Sequence, residues 1–462
     1  MPNANRIIVQ KFGGTSVDRD EHRRLAAGKI IAAKQAGFKP VVVVSAIGRR
    51  GAPYATDTLV DEIKKIDPAF PPDAHEMDMM MACGEIISTA IMAATLQSMG
   101  HPSIALSGGQ AGIVTDGEHG NARILSISPH SIHRAIERGM IPVVCGFQGT
   151  TSITEESEHG SITTLGRGGS DTTASALGAA LNACAVEIYT DVDGVKTADP
   201  DMVPNAHTLD VCTYAEVAEI AHQGAKVVHP RAAEIAMDHG IPLWVKSTFS
   251  DHPGTRISSD KDVPEEVRRR ITGVTHTGKV AFIRLEIENE EHKPFVEQEV
   301  YRLMARAGVN TFLTSFSPTA LSFAVTRDNY PTARDLLDGM VVPVATDPEA
   351  RPASYFYIFK FLEGLDLAYR NQRHLLQALE GFVKVVDVPG TAHENGTIVS
   401  VIANGHRNEP GVMATIFRTL SLAGIQILQV ADSDMSISCL VPENEVNRAV
   451  RLLHDTFHLG DN

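Results

Sequence analysis

Short runs of consecutive apolar, mostly β-branched residues alternate with longer amphipathic stretches through the first half of the chain. The run Val41–Val44 is apolar at every position, which is typical of a parallel strand buried on both faces. Strands that alternate with helices predict a mostly parallel sheet covered on both sides. Right-handed crossovers would bring the strand-to-helix loops together at one edge, where ligands usually bind. The predicted strands are Arg6–Gln10, Pro40–Ser45, Ile141–Cys145 and Val186–Thr190, and the predicted helices are Asp20–Ala36 and Glu85–Met99.

The pattern changes near residue 250, where Asp, Ser, Pro and Gly dominate and Ser250–Asp262 is predicted to be a linker. Beyond it a strand-helix-strand-strand-helix pattern occurs twice. Each copy's first helix ends in a matching triplet, Ala307-Gly308-Val309 and Ala423-Gly424-Ile425, in which glycine suits a left-handed cap. We therefore expect two small α+β modules in tandem. The first has predicted elements Val280–Glu286, Glu297–Ala307 and Leu321–Val325, and the second has Ile398–Ile402, Val412–Ala423 and Met435–Val441.

Residues 349–395 fit neither copy and receive no function. They hold a predicted strand at Tyr355–Phe361, a predicted helix at Gln372–Leu379 and a predicted strand at Val383–Val388. The predicted organisation is a first domain at 1–250, a linker at 251–272, a first module at 273–348, this insertion at 349–395 and a second module at 396–462.

Length and charge limit the class of protein. With 462 residues the chain is too long for one ordinary core. The net charge of −15, without a block of Lys or Arg, argues against nucleic acid and anionic membrane as partners. Five cysteines without a CxxC pair are typical of reduced thiols, and we find neither a signal peptide nor a membrane-length apolar run. We therefore expect a cytoplasmic protein, in which an anionic substrate must be met by a few placed cations.

The first predicted strand runs into Lys11-Phe12-Gly13-Gly14-Thr15-Ser16. Two adjacent glycines allow backbone N–H groups to approach a phosphate, and the lysine can set a point charge against phosphate oxygens. A tight turn with a surface lysine would give the same string. The motif therefore indicates a phosphate site without proving one.

A second glycine loop, Gly166-Arg167-Gly168-Gly169-Ser170-Asp171, enters a helix rich in Thr and Ala. A helix amino terminus attracts anions, and arginine can bind a carboxylate with two hydrogen bonds. An ordinary helix cap with loop glycines is the alternative, although arginine inside such a loop is unusual. A third element, Thr190–Pro200, places carboxylates and a turn after a strand, which by itself is a weak signal. The chain has no GxxxxGK[ST], GxGxxG, HRD/DFG, HExxH or GxSxG pattern.

Taken in order, these motifs resemble the aspartokinase family of the amino-acid kinase fold, over nearly all of the first 255 residues. The resemblance implies an α/β protein, an αβα sandwich with a mostly parallel central sheet followed by two ferredoxin-like ACT modules. The matching segments are Lys11–Val17 (KFGGTSV), Glu76–Glu85 (EMDMMMACGE), Gln110–Ile113 (QAGI), Gly146–Gly149 (GFQG), Thr164–Thr173 (TLGRGGSDTT), Thr190–Pro200 (TDVDGVKTADP) and Gly224–Pro230 (GAKVVHP).

The resemblance implies transfer of the γ-phosphate of MgATP to the β-carboxylate of L-aspartate, the first step towards lysine or diaminopimelate, threonine and methionine. The ACT modules would bind an amino-acid effector (diaminopimelate, lysine or threonine) and pair in a homo-oligomer. Gly48–Thr58 (GRRGAPYATDT) and Gln429–Ser433 (QVADS) resemble the diaminopimelate-responsive subclass.

Residue roles follow from the same resemblance. Lys11 would face the transferred phosphoryl group, and Asp171 would orient Lys11 and the reacting groups. Glu85 would hold the ammonium of aspartate, and Arg167 would hold one of its carboxylates. The implied catalytic residues are Lys11, Arg167 and Asp171; the implied aspartate-binding residues are Ser45, Thr56, Glu85, Phe147, Gly149, Arg167 and Ser170. The implied nucleotide-binding residues are Lys11, Phe12, Gly13, Gly14, Thr15, Ser16, Thr190, Asp191, Lys196, Asp199 and Lys226, and no ligand of Mg²⁺ is assigned.

Two departures from the family pattern matter. Asp201 stands where the family usually has arginine, so one positive contact near ATP is missing or supplied elsewhere. The first module has His292-Lys293-Pro294-Phe295 where regulated relatives often have a Pro-Gly turn, whereas the second keeps Pro410-Gly411. Two alternatives stay open: a kinase for glutamate or acetylglutamate, which the KFGGTS string and the two-module tail disfavour, and an amino-acid-binding regulator with an inactive kinase domain, which the intact motif residues disfavour.

Overall fold

The computed structural model describes residues 6–67, 72–152, 160–225, 227–264, 269–345, 355–361, 370–372, 374–375, 384–404 and 411–461. The chain divides into two compact units, Met1–Gly273 with Leu459–Asn462 and Val274–His458. The strands of the first unit are β1 (Ile7–Phe12), β2 (Lys39–Val44), β3 (Ser103–Leu106), β4 (Ile113–Thr115), β5 (Ile124–Ile127), β6 (Ile141–Cys145), β7 (Gln148–Thr151), β8 (Ile162–Thr164), β9 (Ala185–Thr190), β10 (Val211–Thr213), β11 (Leu243–Ser247) and β12 (Thr255–Ser258). Its helices are α1 (Asp20–Gln35), α2 (Thr56–Lys64), α3 (Ala74–Ser98), α4 (His130–Glu137), α5 (Gly169–Ala180), α6 (Tyr214–His222) and α7 (Pro230–Asp238).

An eight-stranded sheet in the order β10-β12-β11-β9-β1-β2-β6-β3 forms the centre of the first unit. Its pairings are parallel except for β11 with β12. The valine run of β2 is fully buried, as its unbroken apolar pattern predicts. Tyr189 joins the core formed with α1 and α3, whereas Val186 of the same strand lies against Gly178 of α5. Because these two strand positions face opposite sides of the sheet, helices cover both faces.

The chain leaves β1 towards β2 on one side and returns to β9 on the other. This reversal is the switch point of an open α/β sheet, where the loops after neighbouring strands diverge and leave a crevice. The loops after β1, β2 and β9 all open at this carboxyl edge. The predicted meeting of these loops at one edge of the sheet is therefore confirmed, and ligand binding there stays a prediction.

A second, four-stranded sheet in the order β5-β4-β7-β8 was not predicted from the sequence. Its strands have only three or four residues each, too few to give a clear alternating pattern. Strand β8 leads through residues 165–168 into α5. The small sheet thus supports the start of the second glycine loop.

Helix α3 begins at Ala74, well before the predicted start at Glu85. Its mean hydropathy of 1.6 over an 18-residue window makes it long and apolar enough to cross a membrane, so the expectation that no run reaches that length is wrong. The helix packs against β3, β6 and β8 and carries buried Asp78 and Glu85. We therefore interpret it as a core helix of this unit.

The predicted linker 251–272 also needs correction, because it contains strand β12. This strand pairs in parallel with β10 and antiparallel with β11, with Thr255 opposite Val245. It therefore belongs to the central sheet of the first unit and is not a free connection.

The second unit combines both predicted modules in one sheet, in the order β14-β15-β13-β18-β17-β16, with β20 pairing to β18 and β19. The predicted strand at Tyr355–Phe361 is confirmed as β17, and the strand predicted from Val383 is the first part of β18, while most of the helix predicted at Gln372–Leu379 lies outside the described residues. The insertion thus supplies strands to the shared sheet. The elements of the second unit are β13 (Ile271–Glu286), α8 (Lys293–Arg306), β14 (Phe312–Ser317), β15 (Ala320–Thr326), α9 (Tyr330–Leu337), β16 (Val341–Val344), β17 (Tyr355–Phe361), β18 (Lys384–Ala403), α10 (Val412–Leu422), β19 (Gln429–Asp432), β20 (Ser436–Pro442) and α11 (Val446–Thr456).

The integration of β17 predicts a stability effect. Phe359 is 0% exposed and belongs to a core cluster with Phe323 and Val300, whereas Phe295 on α8 is 51% exposed. Phe359→Ala should destabilise the second unit by about 3–5 kcal/mol because it leaves a cavity, and Phe295→Ala by roughly 1 kcal/mol or less. Chemical denaturation followed by circular dichroism compares the two variants. Equal effects would mean that the insertion does not share this core.

Candidate active site

A cleft of about 750 Å³ opens at the carboxyl edge of the central sheet. Its walls come from the end of β1, the loop after β2, helices α2 and α3, and the loop from β8 into α5. These segments are far apart in the sequence. The parallel central sheet places the ends of β1 and β2 at one edge, and β8 of the small sheet leads the loop into α5 to the same cleft. Both predicted glycine loops reach this one cleft.

Lys11 and Asp171 form an ion pair inside the cleft. Lys11 Nζ lies 2.7 Å from Asp171 Oδ1, and each side chain is 12% exposed. Asp171 Oδ2 also accepts a hydrogen bond from the backbone N–H of His229 at 3.2 Å. Because both charges are largely desolvated, removal of either partner would leave the other charge poorly compensated. The pair therefore joins β1 to the first turn of α5 and holds the lysine in a fixed position.

Gly14 allows the loop after β2 to lie against the loop after β1. A Cβ at this position would come within 2.6 Å of the carbonyl oxygens of Ala46 and Gly48. The backbone N–H of Gly48 donates to the carbonyl of Gly14 at 3.0 Å. Gly13 N–H, predicted to face a phosphate, instead donates to the carbonyl of Tyr189 at 3.2 Å. Gly14 is thus the glycine of the pair that lines the cleft.

The second loop bends through glycines in the left-handed region, Gly166 at φ +76° and Gly168 at φ +69°. A Cβ on Gly168 would come within 2.2 Å of the His229 ring, so no other residue fits there. Arg167 lies between them, exposed on the cleft wall, and makes no ion pair within the described ranges. Its guanidinium is therefore available to an anion that also meets the amino terminus of α5.

Glu85 is a half-satisfied buried carboxyl on the floor of the cleft. It is 3% exposed, and its Oε1 accepts from the backbone N–H of Ala46 at 3.0 Å. Its Oε2 has no hydrogen-bond partner in the part of the chain that the structure describes. Burial raises the pKa of Glu85 to about 8, and the bond from Ala46 acts in the opposite direction. A bound ammonium group would supply the missing partner.

Phe147 stands on the cleft wall with φ +70°, a conformation that bulky residues rarely adopt. Its N–H donates to Thr173 Oγ1 at 3.0 Å, and its carbonyl accepts from the N–H of Leu165 at 2.8 Å. These bonds hold the strained residue against α5 and the second glycine loop.

Most of the residues predicted to bind aspartate line the cleft, whereas several of those predicted to bind the nucleotide do not. The predicted residues on the cleft wall are Lys11, Gly14, Ser45, Thr56, Glu85, Phe147, Arg167, Ser170 and Asp171.

Other predicted residues lie beside the cleft or elsewhere. Phe12 stacks on Tyr189 in the core, with 4.7 Å between ring centroids, and Gly149 packs within β7 against β4, so neither lines the cleft. Ser16 shares a 2.7 Å hydrogen bond with Thr248 in a buried position. The hydroxyl of Thr190 donates to Asp191, and the Thr15 carbonyl contacts the His22 ring.

The remaining nucleotide-side predictions involve the segment after β9. Lys196 Nζ donates to Thr208 Oγ1 at 3.3 Å, and Asp199 Oδ1 accepts from the N–H of Asp201 at 2.9 Å. Neither Lys196 nor Asp199 is on the cleft wall, and Lys226 lies outside the described residues. Their assignment to ATP stays a prediction.

Sequence reasoning missed two arginines in the loop after β2. Arg49 and Arg50 line the cleft; Arg49 Nη2 lies 2.7 Å from Asp191 Oδ2, and Arg50 Nη1 lies 3.5 Å from Asp61 Oδ2. Arg49 thereby connects the loops after β2 and β9. The signal was the pair of adjacent arginines directly after a strand, which we used only as a subclass marker.

Known proteins share this organisation along the whole chain. A model of the amino acid kinase family matches residues 6–247, and an ACT domain model matches residues 399–457. Aspartokinase 1 of Bacillus subtilis is 37% identical over 458 residues, covering 98% of this chain and 100% of that protein. The chain belongs to the aspartokinase family. The aspartokinase of Mycolicibacterium smegmatis is likewise 37% identical over 462 residues, covering 98% of this chain and 96% of that protein.

Solved aspartokinases share the fold. Aspartokinase III of E. coli, in complex with aspartate and ADP, superimposes with a TM-score of 0.68 at 21% identity, covering 97% of this chain and 99% of that one. Aspartate kinase of Clostridium acetobutylicum superimposes with a TM-score of 0.67 at 21% identity, again covering 97% of this chain and 99% of that one. The resemblance and the α/β fold class inferred from the motifs are confirmed. As an aspartokinase, the chain is an ATP-dependent kinase with an ACT portion.

The raised pKa of Glu85 predicts a pH-dependent stability. Because its folded pKa of about 8 exceeds the ordinary value of 4.5, the folded state binds more protons between these pH values, and stability falls as pH rises through that window. Glu85→Gln should remove this pH dependence. The free energy of unfolding of the variant should therefore rise relative to that of the parent by up to a few kcal/mol between about pH 5 and 8. Denaturant titrations without ligand at several pH values measure the gap, with exposed Glu62→Gln as the control. Parallel pH curves would contradict the buried charge.

Proposed function

We propose that this chain transfers the γ-phosphate of ATP to the β-carboxylate of L-aspartate, giving 4-phospho-L-aspartate and ADP. The observation that carries the proposal is the shared cleft of Lys11, Glu85 and Arg167. Two cations and a buried carboxyl complement a small ligand with two carboxylates and one ammonium group. In this pose the ammonium lies against Glu85, one carboxylate against Arg167, and the other carboxylate faces the phosphate beside Lys11.

The reaction needs no general base. The aspartate carboxyl has an ordinary pKa near 3.9 and is already ionised at neutral pH. One of its oxygens forms a bond to the γ-phosphorus while the bond from that phosphorus to the bridging oxygen breaks, and ADP leaves with the electron pair. The difficulty is to bring an anion to a polyanion, so catalysis depends on positioning and charge neutralisation.

Lys11 would neutralise charge on the transferred phosphoryl group. Its ion pair with Asp171 fixes the ammonium at the end of β1, next to Gly14. The first turn of α5, with Ser170, lines the same cleft, and the positive end of its helix dipole would favour a phosphate there. These groups act on the phosphate, whereas Glu85 and Arg167 act on the acceptor.

Magnesium would accompany ATP as a further source of positive charge. Mg²⁺ in phosphoryl-transfer sites keeps several waters and binds through phosphates with one or two carboxylates. Within the described ranges, no three His, Cys, Asp or Glu side chains are arranged to hold a metal. This donor set fits an ion held mainly by the nucleotide, and we assign it no protein ligand.

The ACT portion would make this activity responsive to a pathway end product. The ACT match at residues 399–457 and the QVADS string support diaminopimelate as the effector, with lysine and threonine as the alternatives. We further propose that the protein is cytoplasmic and forms a homo-oligomer through its ACT modules. Sedimentation would then give a mass of at least two chains, and cell fractionation would recover the protein from the cytosol.

The activity itself is tested by ADP release from MgATP. Release should require L-aspartate, and Lys11→Ala should lower kcat by roughly 10²–10³, since a charge aimed at the phosphoryl group is lost. Lys65→Ala, at an exposed lysine paired with Glu62, is the matched control and should keep full activity. Glutamate and acetylglutamate are tested in parallel. Equal release with either, or none with aspartate, would exclude the proposed acceptor.

The regulatory proposal is tested separately on the same assay. Titration of meso-diaminopimelate, lysine and threonine at subsaturating aspartate should reveal one inhibitor, with diaminopimelate expected because of the subclass motifs. A rate that ignores all three compounds would mean that the ACT portion is structural or senses another ligand.

A further inference from the structure

Asp78 is a buried carboxylate that the proposed chemistry does not use. It lies on α3, is 0% exposed, and accepts hydrogen bonds from two other segments, residues 119–120 and Thr164. His119 Nδ1 donates to its Oδ2 at 2.8 Å, and the N–H of Gly120 donates at 3.1 Å. The N–H of Thr164 donates at 3.0 Å, and the Thr164 hydroxyl donates to Oδ1. Because a carboxylate only accepts, the proton of His119 is on Nδ1.

Each segment that Asp78 joins reaches the cleft. Helix α3 also carries Glu85, two turns further along the same side of the helix. Gly120 lines the cleft directly. Thr164 ends β8, three residues before Arg167. One carboxylate thus connects the ammonium-binding side of the site with the arginine loop.

The arginine loop depends on these contacts for its position. Gly166 is seated so closely that a Cβ would lie 3.0 Å from Asn121 Oδ1 and 3.2 Å from the carbonyl of Gly120. The N–H of Ala122 donates to the carbonyl of Thr164 at 2.8 Å. The segment 119–122 is therefore the surface against which residues 164–167 lie, and Asp78 binds both.

We propose that Asp78 is a positioning residue that acts through Arg167, holding its loop so that the guanidinium faces the acceptor carboxylate. The inference rests on the proposed aspartate kinase activity. A carboxylate suits this role because it accepts from several donors at once, whereas an asparagine amide would turn N–H groups towards N–H groups. Misplacement of the loop weakens recognition of the acceptor and leaves the nucleotide end of the cleft intact.

A double-mutant cycle on the full-length enzyme tests this. Asp78→Asn should raise the KM for aspartate by roughly 10- to 100-fold, because small misplacements of a binding group have effects of this size. The KM for ATP should stay within about two-fold. In the Arg167→Ala background, Asp78→Asn should change the KM for aspartate by no more than about two-fold, because Asp78 is proposed to act on aspartate binding only through Arg167.

Glu216→Gln is the matched control. Glu216 is another buried carboxylate, which accepts from the N–H and hydroxyl of Thr213 and from the hydroxyl of Thr272, away from the cleft. It should lower the melting temperature without changing the KM for aspartate. If Asp78→Asn fails to fold, Thr164→Val removes one donor and enters the same cycle.

Multiplicative effects in the cycle, or an equal rise in the KM for ATP, would overturn the proposal and make Asp78 a purely structural residue. An unchanged KM for aspartate in a folded Asp78→Asn enzyme would do the same. Failure of the underlying function is distinct, because the parent enzyme would then show no aspartate-dependent ADP release.

Discussion

The ion pair between Lys11 and Asp171 is the contact on which the site depends. One partner ends the central strand of the sheet, and the other stands in the first turn of a helix that follows much later in the sequence. At 2.7 Å and with little exposure, each charge stabilises the other where water cannot. The pair can form only if both glycine loops turn correctly, because Gly14 and Gly168 each occupy a space that excludes a Cβ. The ion pair and the turns of the two glycine loops therefore depend on each other.

Glu85 and Arg167, two further ionic groups of the cleft, have opposite surroundings. Glu85 is buried, its Oε2 has no hydrogen-bond partner among the described residues, and burial raises its pKa to about 8, so a cation bound beside it would favour its charged form. Arg167 is exposed on the cleft wall, where water can solvate its guanidinium. Recognition of an ammonium group is consequently linked to protonation, whereas recognition of a carboxylate is not. Under the proposed function, this pair of groups would favour an acceptor that bears both an ammonium and a carboxylate over one that bears only carboxylates.

The sequence predicted most reliably the features that rest on unbroken apolar runs or on topology. The bounds of Ile141–Cys145 and Tyr355–Phe361 agree with the structure because most residues in these runs are β-branched or aromatic and suited to a buried strand. The two glycine loops converge as expected, but the second reaches the cleft from β8 of the small sheet, which the sequence did not predict. Helix α3 was predicted too short because Glu76 and the buried Asp78 interrupt the apolar residues of its Met-rich first half and obscure the helical period. Strand β12 was missed because its short polar sequence is typical of a loop, and only pairing with β10 and β11 makes it a strand.

At residue level, motifs do not separate the side chains that touch a ligand from those that place them. In the GFQG string, Phe147 lines the cleft, whereas Gly149 packs against β4 and Gly146 makes room for Ser170. Phe12 of the first glycine motif is likewise a core residue. The supporting residues have a common physical effect: they lock the loops after β1, β2 and β8 to one another before any ligand arrives. A cleft whose loops are already ordered loses little conformational entropy on binding, so more of the attraction to an anionic substrate remains for orientation at the phosphoryl group.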